Sequence, residues 1–292
     1  MATVLSILQS CCKRIQLPVP TTVLTNTDPN VVSLLEFATK TARDLKREYE
    51  WPEFSREFTW TLSSGQAAYP MPPDLDHLLF ETMWNRANFW PLIGPLTAQE
   101  WQYRKSGIIS TSPRNRYRIK GWSAAGNFFI DPTPGTPDAN AICVFEYQSS
   151  SWIRPASLWT TATSYTGGAF DYYGGNIYQS QGIGGTSGAN PPVHNTGTAS
   201  DGGVNWSFVG YDAPQADTDV VLFQDPELII NGAIWQYRQA KGHDWQPLFK
   251  LWQSAVEQAI TNIKGARRLD MACPQGLVLI GPWSVPDTGF GG

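Results

Sequence analysis

The sequence lacks the features that mark membrane, secreted and zinc-binding proteins. No stretch approaches the roughly 18–20 consecutive apolar residues that a membrane-spanning helix needs. Residues 1–4 have no basic region of the kind that begins a signal peptide. The 4 cysteines include no C-x-x-C pair, so neither a zinc site nor a disulfide framework is predicted. We therefore expect a soluble protein that is synthesised in a cytoplasm and needs no metal or other cofactor.

Charged residues are also scarce, at 16% of the chain, whereas aromatic residues reach 13%. Because soluble domains usually carry about a quarter charged residues, this balance predicts extensive surfaces that become covered by the protein itself or by neighbouring chains. The formal net charge is -4, so the chain as a whole does not favour nucleic-acid binding. Two short basic clusters, at 114–120 and 264–268, are interpreted as solvated faces.

Signatures of catalysis are missing as well. The chain contains no G-x-S-x-G or H-E-x-x-H motif and no phosphate-binding glycine loop. His194 and His243 have no partner at a motif spacing for nucleophilic catalysis, and a capping or surface role is the favoured interpretation of His77. Asp217 and Asp219 could contact a cation, but two carboxylates in one loop are weak grounds for a metal site. We predict that the protein is not an enzyme.

Lysine, arginine and glutamate are all absent from about Ala156 to Ala216. The segment is rich in Gly, Ser, Thr, Asn and Pro, a composition that by itself suggests a disordered linker. It also contains 9 aromatic residues, which indicate a small buried core instead. We therefore predict a loop-rich β-module inserted at 156–216, called the inserted module below, with short strands near 175–179 and 204–209.

The flanking sequence is ordinary and predicts helices on both sides of the insertion. Apolar residues at helical spacing predict helices at about 2–15, 28–49, 225–241 and 245–265. The pairs Asp28-Pro29 and Asp225-Pro226 are helix start signals. Between the first helix pair and the insertion, period-two patterns predict strands, and a capping box at Thr97 predicts one short helix. The predicted strands are Glu57–Leu62, Leu78–Trp84, Tyr117–Trp122, Asn127–Ile130 and Ile142–Tyr147.

This order of elements predicts an α+β fold. Two amphipathic helices cannot bury their apolar stripes alone, so we expect the first and last pairs to form one four-helix unit from 1–53 and 217–268. The β-rich domain at 54–155 and the inserted module at 156–216 would be one long excursion between them. The segment 269–292 contains Pro and Gly without periodicity and is expected to be an extended arm.

The aromatic residues of the inserted module allow a binding role, because exposed rings stack on sugars and Asn, Ser and Thr side chains bond their hydroxyls. For Tyr178 and Trp206, a place in the small core is the favoured interpretation. For Tyr172 and Tyr173 both interpretations stay open, because adjacent residues of a strand face opposite ways. The candidate contact residues for a glycan or a fibre are Trp159, Tyr165, Tyr172, Tyr173, Tyr178 and Trp206.

The flanks resemble the head-to-tail adaptor proteins (tail tubular protein A) of short-tailed bacteriophages over most of 1–150 and 217–268. The resemblance is one of turns and helices and not of a catalytic motif. It is carried by the turn Leu17-Pro18-Val19-Pro20, the helix start Asp28-Pro29, the turn Tyr69-Pro70-Met71-Pro72-Pro73-Asp74, the run Trp90-Pro91-Leu92-Ile93-Gly94-Pro95-Leu96-Thr97, and Ala240-Lys241-Gly242-His243-Asp244.

The resemblance implies a structural protein of the virion tail at the head–tail junction. In that family, a ring of twelve copies joins the portal protein to the tail nozzle protein and offers a docking place for tail fibres or spikes. DNA would be a partner only as it passes through the ring lumen, and no membrane would be involved. The residues expected to contact the portal lie in and just before the arm: Arg267, Arg268, Leu269, Trp283 and Phe290.

The inserted module resembles something different, namely the small carbohydrate-binding-like β-modules of phage tail fibres and chitin-active enzymes. Its similar features are Gly-Gly-Asn-x-Tyr at 174–178, Gly-Thr-Ser-Gly at 185–188 and Asp-Gly at 201–202. The alternative function is therefore a glycan-binding adhesion protein of a phage tail. A polysaccharide-degrading site is disfavoured, because the module has only three acidic residues, Asp171, Asp201 and Asp212, and no glutamate.

Overall fold

The chain has a mixed α+β fold in the computed structural model, which describes residues 2–106, 115–121 and 127–264. This part of the chain contains five helices and several antiparallel sheets. None of its helices is both long and apolar enough to cross a membrane. The predicted arm at 269–292 lies outside the described residues, as do Arg267 and Arg268.

Each predicted helix is present, and its ends follow from local chemistry. The Thr3 hydroxyl accepts from the Ser6 N–H at 3.2 Å, and the Asp28 carboxylate accepts from the Asn30 N–H at 2.9 Å, so side chains cap the first two helices. The same capping box that the sequence indicates at Thr97 begins the third. The helices are α1 Val4–Arg14, α2 Pro29–Glu48, α3 Ala98–Lys105, α4 Glu227–Ala240 and α5 Gln246–Lys264.

Helix α4 lies at the centre of the helical part and contacts α1, α2 and α5. Residues from all four helices contribute to one buried apolar cluster. Helices α4 and α2 cross closely at Gly232, which faces Thr41. Glycine has no side chain, so the two backbones can approach each other at this point. At the same crossing, Gln236 donates a buried hydrogen bond to the Thr41 hydroxyl at 3.0 Å. Trp252 of α5 donates to the Leu228 carbonyl of α4 at 2.8 Å.

The β-rich part forms two sheets. Strands β1, β8, β4 and β5 lie side by side in that order, with β3 also paired to β8, and β2, β7 and β6 form the second sheet. The strands are β1 Ser55–Thr61, β2 Ala68–Pro70, β3 Leu75–Leu78, β4 Trp84–Asn85, β5 Trp90–Pro91, β6 Arg116–Lys120, β7 Asn127–Asp131, β8 Ile142–Ser149 and β9 Ile153–Arg154.

An aromatic core lies between these two sheets. Trp60 of β1 meets Phe128 of β7 edge to face, with ring centroids 4.5 Å apart. Phe145 and Tyr147 of β8 belong to the same buried cluster. The apolar residues that alternate with polar ones in the predicted strands therefore point into this core.

One predicted strand is wrong. The sequence predicts a continuous strand over Leu78–Trp84, but β3 ends at Leu78 and β4 begins at Trp84. Between them the chain bulges out: Glu81 has a φ of 65°, and Phe80 is 74% exposed. A φ in the left-handed region cannot continue a strand, so Phe80 is exposed although Leu78 and Met83 on either side of it are buried.

The inserted module contains a four-stranded sheet in the order β11-β12-β15-β14 and a two-stranded ribbon of β10 and β13. Its strands are β10 Ser164–Thr166, β11 Phe170–Tyr173, β12 Asn176–Gln181, β13 Gly184–Thr186, β14 Thr198–Asp201 and β15 Val204–Phe208. The predicted strands near 175–179 and 204–209 correspond to β12 and β15.

The chain enters and leaves the inserted module through a paired stem. Strand β9 before the module pairs with β16, Val220–Val221, after it. The Val221 N–H then donates to the Ala2 carbonyl at 2.9 Å, which adds the residues before α1 to the stem. The predicted module boundaries at 156 and 216 therefore lie just inside a pair of hydrogen-bonded strands.

We predict that Gly232→Ala lowers the free energy of unfolding. An added methyl group would overlap Thr41, and overpacking of this kind costs about 1–3 kcal/mol. The added Cβ atom would lie 2.2 Å from the Thr41 methyl carbon, so we expect the upper part of this range. Alanine favours the helix by about 1 kcal/mol over glycine, which leaves a net loss of about 1–2 kcal/mol. Urea unfolding followed by tryptophan fluorescence measures the change. Gln239→Ala, at an exposed position of the same helix, is the control and should shift the midpoint little. A Gly232→Ala protein as stable as the parent would contradict the close crossing.

Candidate functional site

Three of the six candidate aromatic residues form the core of the inserted module. Trp206 and Tyr178 are 0% and 1% exposed, and Tyr165 is buried beside them, with its ring centroid 4.9 Å from that of Trp206. The Tyr178 hydroxyl donates to the His194 carbonyl at 2.8 Å, inside the module. A ring covered on both faces cannot stack on a ligand. The place in the small core that was favoured for Tyr178 and Trp206 agrees with this burial. The contact role that was also considered for the three residues is corrected, because their role in this structure is packing.

The other three candidates are accessible. Trp159 and Tyr172 are partly exposed, and Tyr173 is 37% exposed. Trp159 and Tyr173 pack edge to face, with centroids 5.6 Å apart. The Arg154 guanidinium lies over the Tyr172 ring at 4.8 Å, so this face of the ring is taken by the stem. Trp159 and Tyr173 are therefore the pair that a ligand of the module could reach.

The polar loops of the module are engaged with one another. Asp201 accepts from the Gly188 N–H at 2.8 Å and from the Trp159 indole N–H at 2.9 Å. A Cβ atom at Gly188 would lie 2.6 Å from the Asp201 carboxylate, which explains a glycine there. The Ser187 hydroxyl accepts from the Thr163 N–H at 2.9 Å. Gly, Ser and Thr residues that give the module its likeness to sugar-binding modules therefore join its loops to one another through hydrogen bonds and close packing.

The module does not stand apart from the rest of the protein. Ile177, on the opposite face of β12 from Tyr178, is 2% exposed and belongs to the apolar cluster of the helices. Phe170 packs edge to face on Tyr211 at 5.1 Å, within that cluster. Sequence reasoning missed this docking. The available signal was Ile177 next to Tyr178, because two adjacent apolar residues of one strand imply that both sheet faces are covered.

The two aspartates considered for a cation instead fasten the chain where it returns from the module. Asp219 accepts from the Tyr211 hydroxyl at 2.8 Å and from two backbone N–H groups of the preceding turn at 2.8 and 2.9 Å. Asp217 accepts from two backbone N–H groups of the loop between α1 and α2, at 2.9 and 3.0 Å. No group of three or more His, Cys, Asp or Glu side chains in the described part of the chain could hold a metal ion.

A buried polar network lies under the β-rich sheet. Asp74 accepts from the Tyr147 hydroxyl at 2.7 Å and from the Ser149 hydroxyl at 2.6 Å. Burial raises the pKa of Asp74, and the Arg56 guanidinium at 3.6 Å opposes that rise. Burial likewise raises the pKa of Tyr147, which keeps its proton on the oxygen that donates. The network satisfies buried groups and presents no exposed reactive atom.

His77 takes part in a second, more exposed arrangement. Its Nδ1 lies 2.9 Å from the Asp76 carboxylate, which also accepts from the Lys46 ammonium at 2.9 Å. Burial raises the pKa of Asp76, but the hydrogen bonds from Lys46 and His77 outweigh it and leave the pKa below its usual range. This pairing agrees with the structural interpretation of His77.

Helix α5 presents a second candidate surface, which sequence reasoning did not single out. Val256 is its one fully buried apolar side chain, and Leu251 is 68% exposed. A cleft of about 210 Å³ lies beside Leu251 and Trp252, with Arg14 and Arg238 on its wall. An amphipathic helix that leaves part of its apolar stripe uncovered is typical of a protein–protein contact. The predicted portal-binding residues Arg267, Arg268, Leu269, Trp283 and Phe290 lie outside the described residues.

We predict that Ile177→Ala destabilises the whole protein and not only the module. Truncation of a buried isoleucine costs about 2–5 kcal/mol, and this side chain joins the module to the helical cluster. Unfolding followed by circular dichroism at helical wavelengths should show the loss. Val193→Ala, in the same module at a position 76% exposed, should change the midpoint little. Helical unfolding that is the same in both variants would mean that the module is energetically independent.

Comparison with known proteins assigns the chain to no family. No family model matches it, and no curated protein is similar to it. The resemblance to head-to-tail adaptors therefore stays an interpretation of the turns and helices of the flanks, and the function that follows from it is a proposal.

Proposed function

We propose that the protein is a structural component of a phage tail: an adaptor that forms a ring, joins the portal to the tail nozzle and offers a docking place for tail fibres. The observation that carries the proposal is the single apolar cluster shared by helices from both ends of the described chain. In this proposal α1, α2, α4 and α5 are the four-helix unit, and the β-rich part and the module project from it. That arrangement is the one predicted from the apolar stripes of the two helix pairs.

Self-association is supported by apolar side chains that are exposed in the described part of the chain. Leu251 on α5 is 68% exposed beside the cleft that contains Trp252. In the β-rich part, Phe80 and Phe89 are 74% and 67% exposed in two turns. Large apolar side chains are enriched in the centres of subunit interfaces. We assign the α5 surface to the contact between neighbouring copies and the two phenylalanines to the contact with the nozzle.

The segment after α5 is the proposed portal contact. It begins with Arg267, Arg268 and Leu269 and contains Trp283 and Phe290. Arginine and tryptophan are the residue types most enriched among energetically dominant contacts. The proposal places the ring in the virion tail, made in the cytoplasm of the bacterial host, with DNA passing through its lumen.

Leu251→Glu should dissociate the ring. A carboxylate buried in an apolar subunit contact costs more than about 1.4 kcal/mol, which is a tenfold weaker association for each contact. Mass photometry of the purified protein measures the assembly, with about twelve copies expected for the parent and smaller species for the variant. Gln246→Glu adds the same charge on the opposite side of α5 and should leave the assembly intact. A parent protein that is a trimer or a monomer would count against the adaptor function.

The alternative, a glycan-binding adhesion protein, is favoured by one observation. Trp159 and Tyr173 form an accessible aromatic pair, and Asp201 fixes the indole through a hydrogen bond of 2.9 Å. A fixed aromatic pair is a suitable platform for the apolar face of a sugar ring.

Tyr173→Ala tests this alternative. Loss of one stacking ring worth about 1–1.5 kcal/mol should weaken binding to host surface polysaccharide about tenfold in affinity electrophoresis. Tyr103→Ala removes an even more exposed tyrosine, 81% accessible and outside the module, and should leave binding unchanged. Parent protein that is not retarded by polysaccharide, or retardation that both variants share, would remove the module as a glycan site.

A further inference from the structure

The positive charge of the chain is strongly segregated. Residues 101–130 contain 6 of the 21 lysines and arginines and no aspartate or glutamate. Because the net charge of the whole chain is -4, all remaining residues together carry -10. These 30 residues are therefore much richer in cations than the rest of this acidic chain, and they form a cationic surface where the fold brings their side chains to one face.

Strand β6 places three of them in a row. Arg116, Arg118 and Lys120 alternate with Tyr117 and Ile119, and these two point into the aromatic core between the sheets. The three cations therefore lie on the opposite face of the strand, but the Arg116 side chain is only 14% exposed, so Arg118 and Lys120, about 6.7 Å apart, are the accessible ones.

Helix α3 adds further cations beside this row. Its Trp101 is buried, and the ammonium groups of Lys105 and Lys120 lie 5.3 and 5.8 Å from the Trp101 ring centroid. Lys120 also lies 4.7 Å above the Phe129 ring. These cation–aromatic contacts hold long side chains in place next to one another, which reduces the entropy lost when they bind a ligand.

The acidic groups near this face leave most of its charge unpaired. Asp131 is 4% exposed and pairs with Lys105 at 2.5 Å and, more weakly, with Arg116 at 4.0 Å. Glu100 lies in the first turn of α3, where it caps the helix through Thr97. Arg104 also interacts electrostatically with Glu100. Among the described residues, Arg118 and Lys120 form no ion pair with a carboxylate.

We propose that this cationic face, formed by Arg104, Lys105, Arg118 and Lys120, binds the phosphate backbone of double-stranded DNA. Neighbouring phosphates of one strand rise about 3.4 Å along the duplex axis and also turn around it, so they lie about as far apart as alternate residues of a β-strand, and Arg118 and Lys120 can contact neighbouring phosphates. The 81% exposed Tyr103 at its margin adds a hydroxyl that can donate to a phosphate oxygen.

The chemistry of the face defines what kind of binding this is. Lysine and arginine bound to phosphates neutralise charge and release counterions, but they carry no base sequence information. The contact should be sequence-independent and sensitive to salt, which would allow a duplex to slide past. The inference deepens the proposed function, in which DNA passes through the ring, but it concerns a surface of each single copy.

Fluorescence anisotropy with a labelled 30-base-pair duplex of arbitrary sequence tests the proposal. The parent should bind with a Kd in about the micromolar range at low salt, with an affinity that falls linearly with the logarithm of salt concentration. The triple variant Arg104→Gln, Arg118→Gln, Lys120→Gln should weaken binding at least tenfold. The slope of log affinity against log salt concentration should become less steep by about 2–3, because each lost phosphate contact lowers the steepness of this slope by about 0.9.

The matched control is Lys40→Gln, Arg47→Gln, Lys250→Gln, which removes the same charge from exposed positions elsewhere. Equal weakening in both triple variants would mean that net charge alone matters and would overturn the proposal. So would a parent that does not bind the duplex, or one that binds vesicles with anionic lipids and not DNA. Mass photometry of each sample records the oligomeric state, so failure of ring formation and failure of DNA binding are separate results.

Discussion

The packing of α4 against both α1 and α2 is the constraint on which the rest of the fold depends. These two helices come from the start of the chain, and α5 also contacts α4. Because the apolar stripe of α1 or α2 cannot be buried alone, every residue between α2 and α4 must form an excursion that begins and ends at the same place. The β9–β16 stem closes the part of that excursion that forms the inserted module, and Asp217 and Asp219 fasten its return.

The same constraint decides how the inserted module relates to the helices. A module that hung from a flexible stem would bury its own core and leave its outer sheet face polar. Here Tyr178 enters the module core, while its neighbour Ile177 enters the helical cluster. The strand therefore joins two cores, and the module is a part of the folded unit whatever ligand or fibre it contacts.

Much of the secondary structure could be predicted from the sequence, because its signals are local. Asp28 caps a helix and Thr97 completes a capping box whatever lies elsewhere in the chain. The bulge at Phe80 and Glu81 could not be predicted, because it arises where two short strands share the partner β8. The aromatic residues of the module could also be identified from the sequence. That Trp206 lies in the core and Trp159 nearer the surface depends on their neighbours in three dimensions, which the sequence does not show.

The net charge of the chain is likewise an incomplete guide to what one surface of it can bind. A value of -4 argues against nucleic-acid binding only if charge is spread evenly over the surface. Screening confines the influence of an exposed charge to about 8 Å at physiological ionic strength. Acidic residues more distant than this from Lys120 therefore do not cancel the field at the cationic face, whereas Asp131 next to it does so in part. The alternation of β6 and the position of Trp101 thus matter more for what this surface binds than the charge of the whole chain.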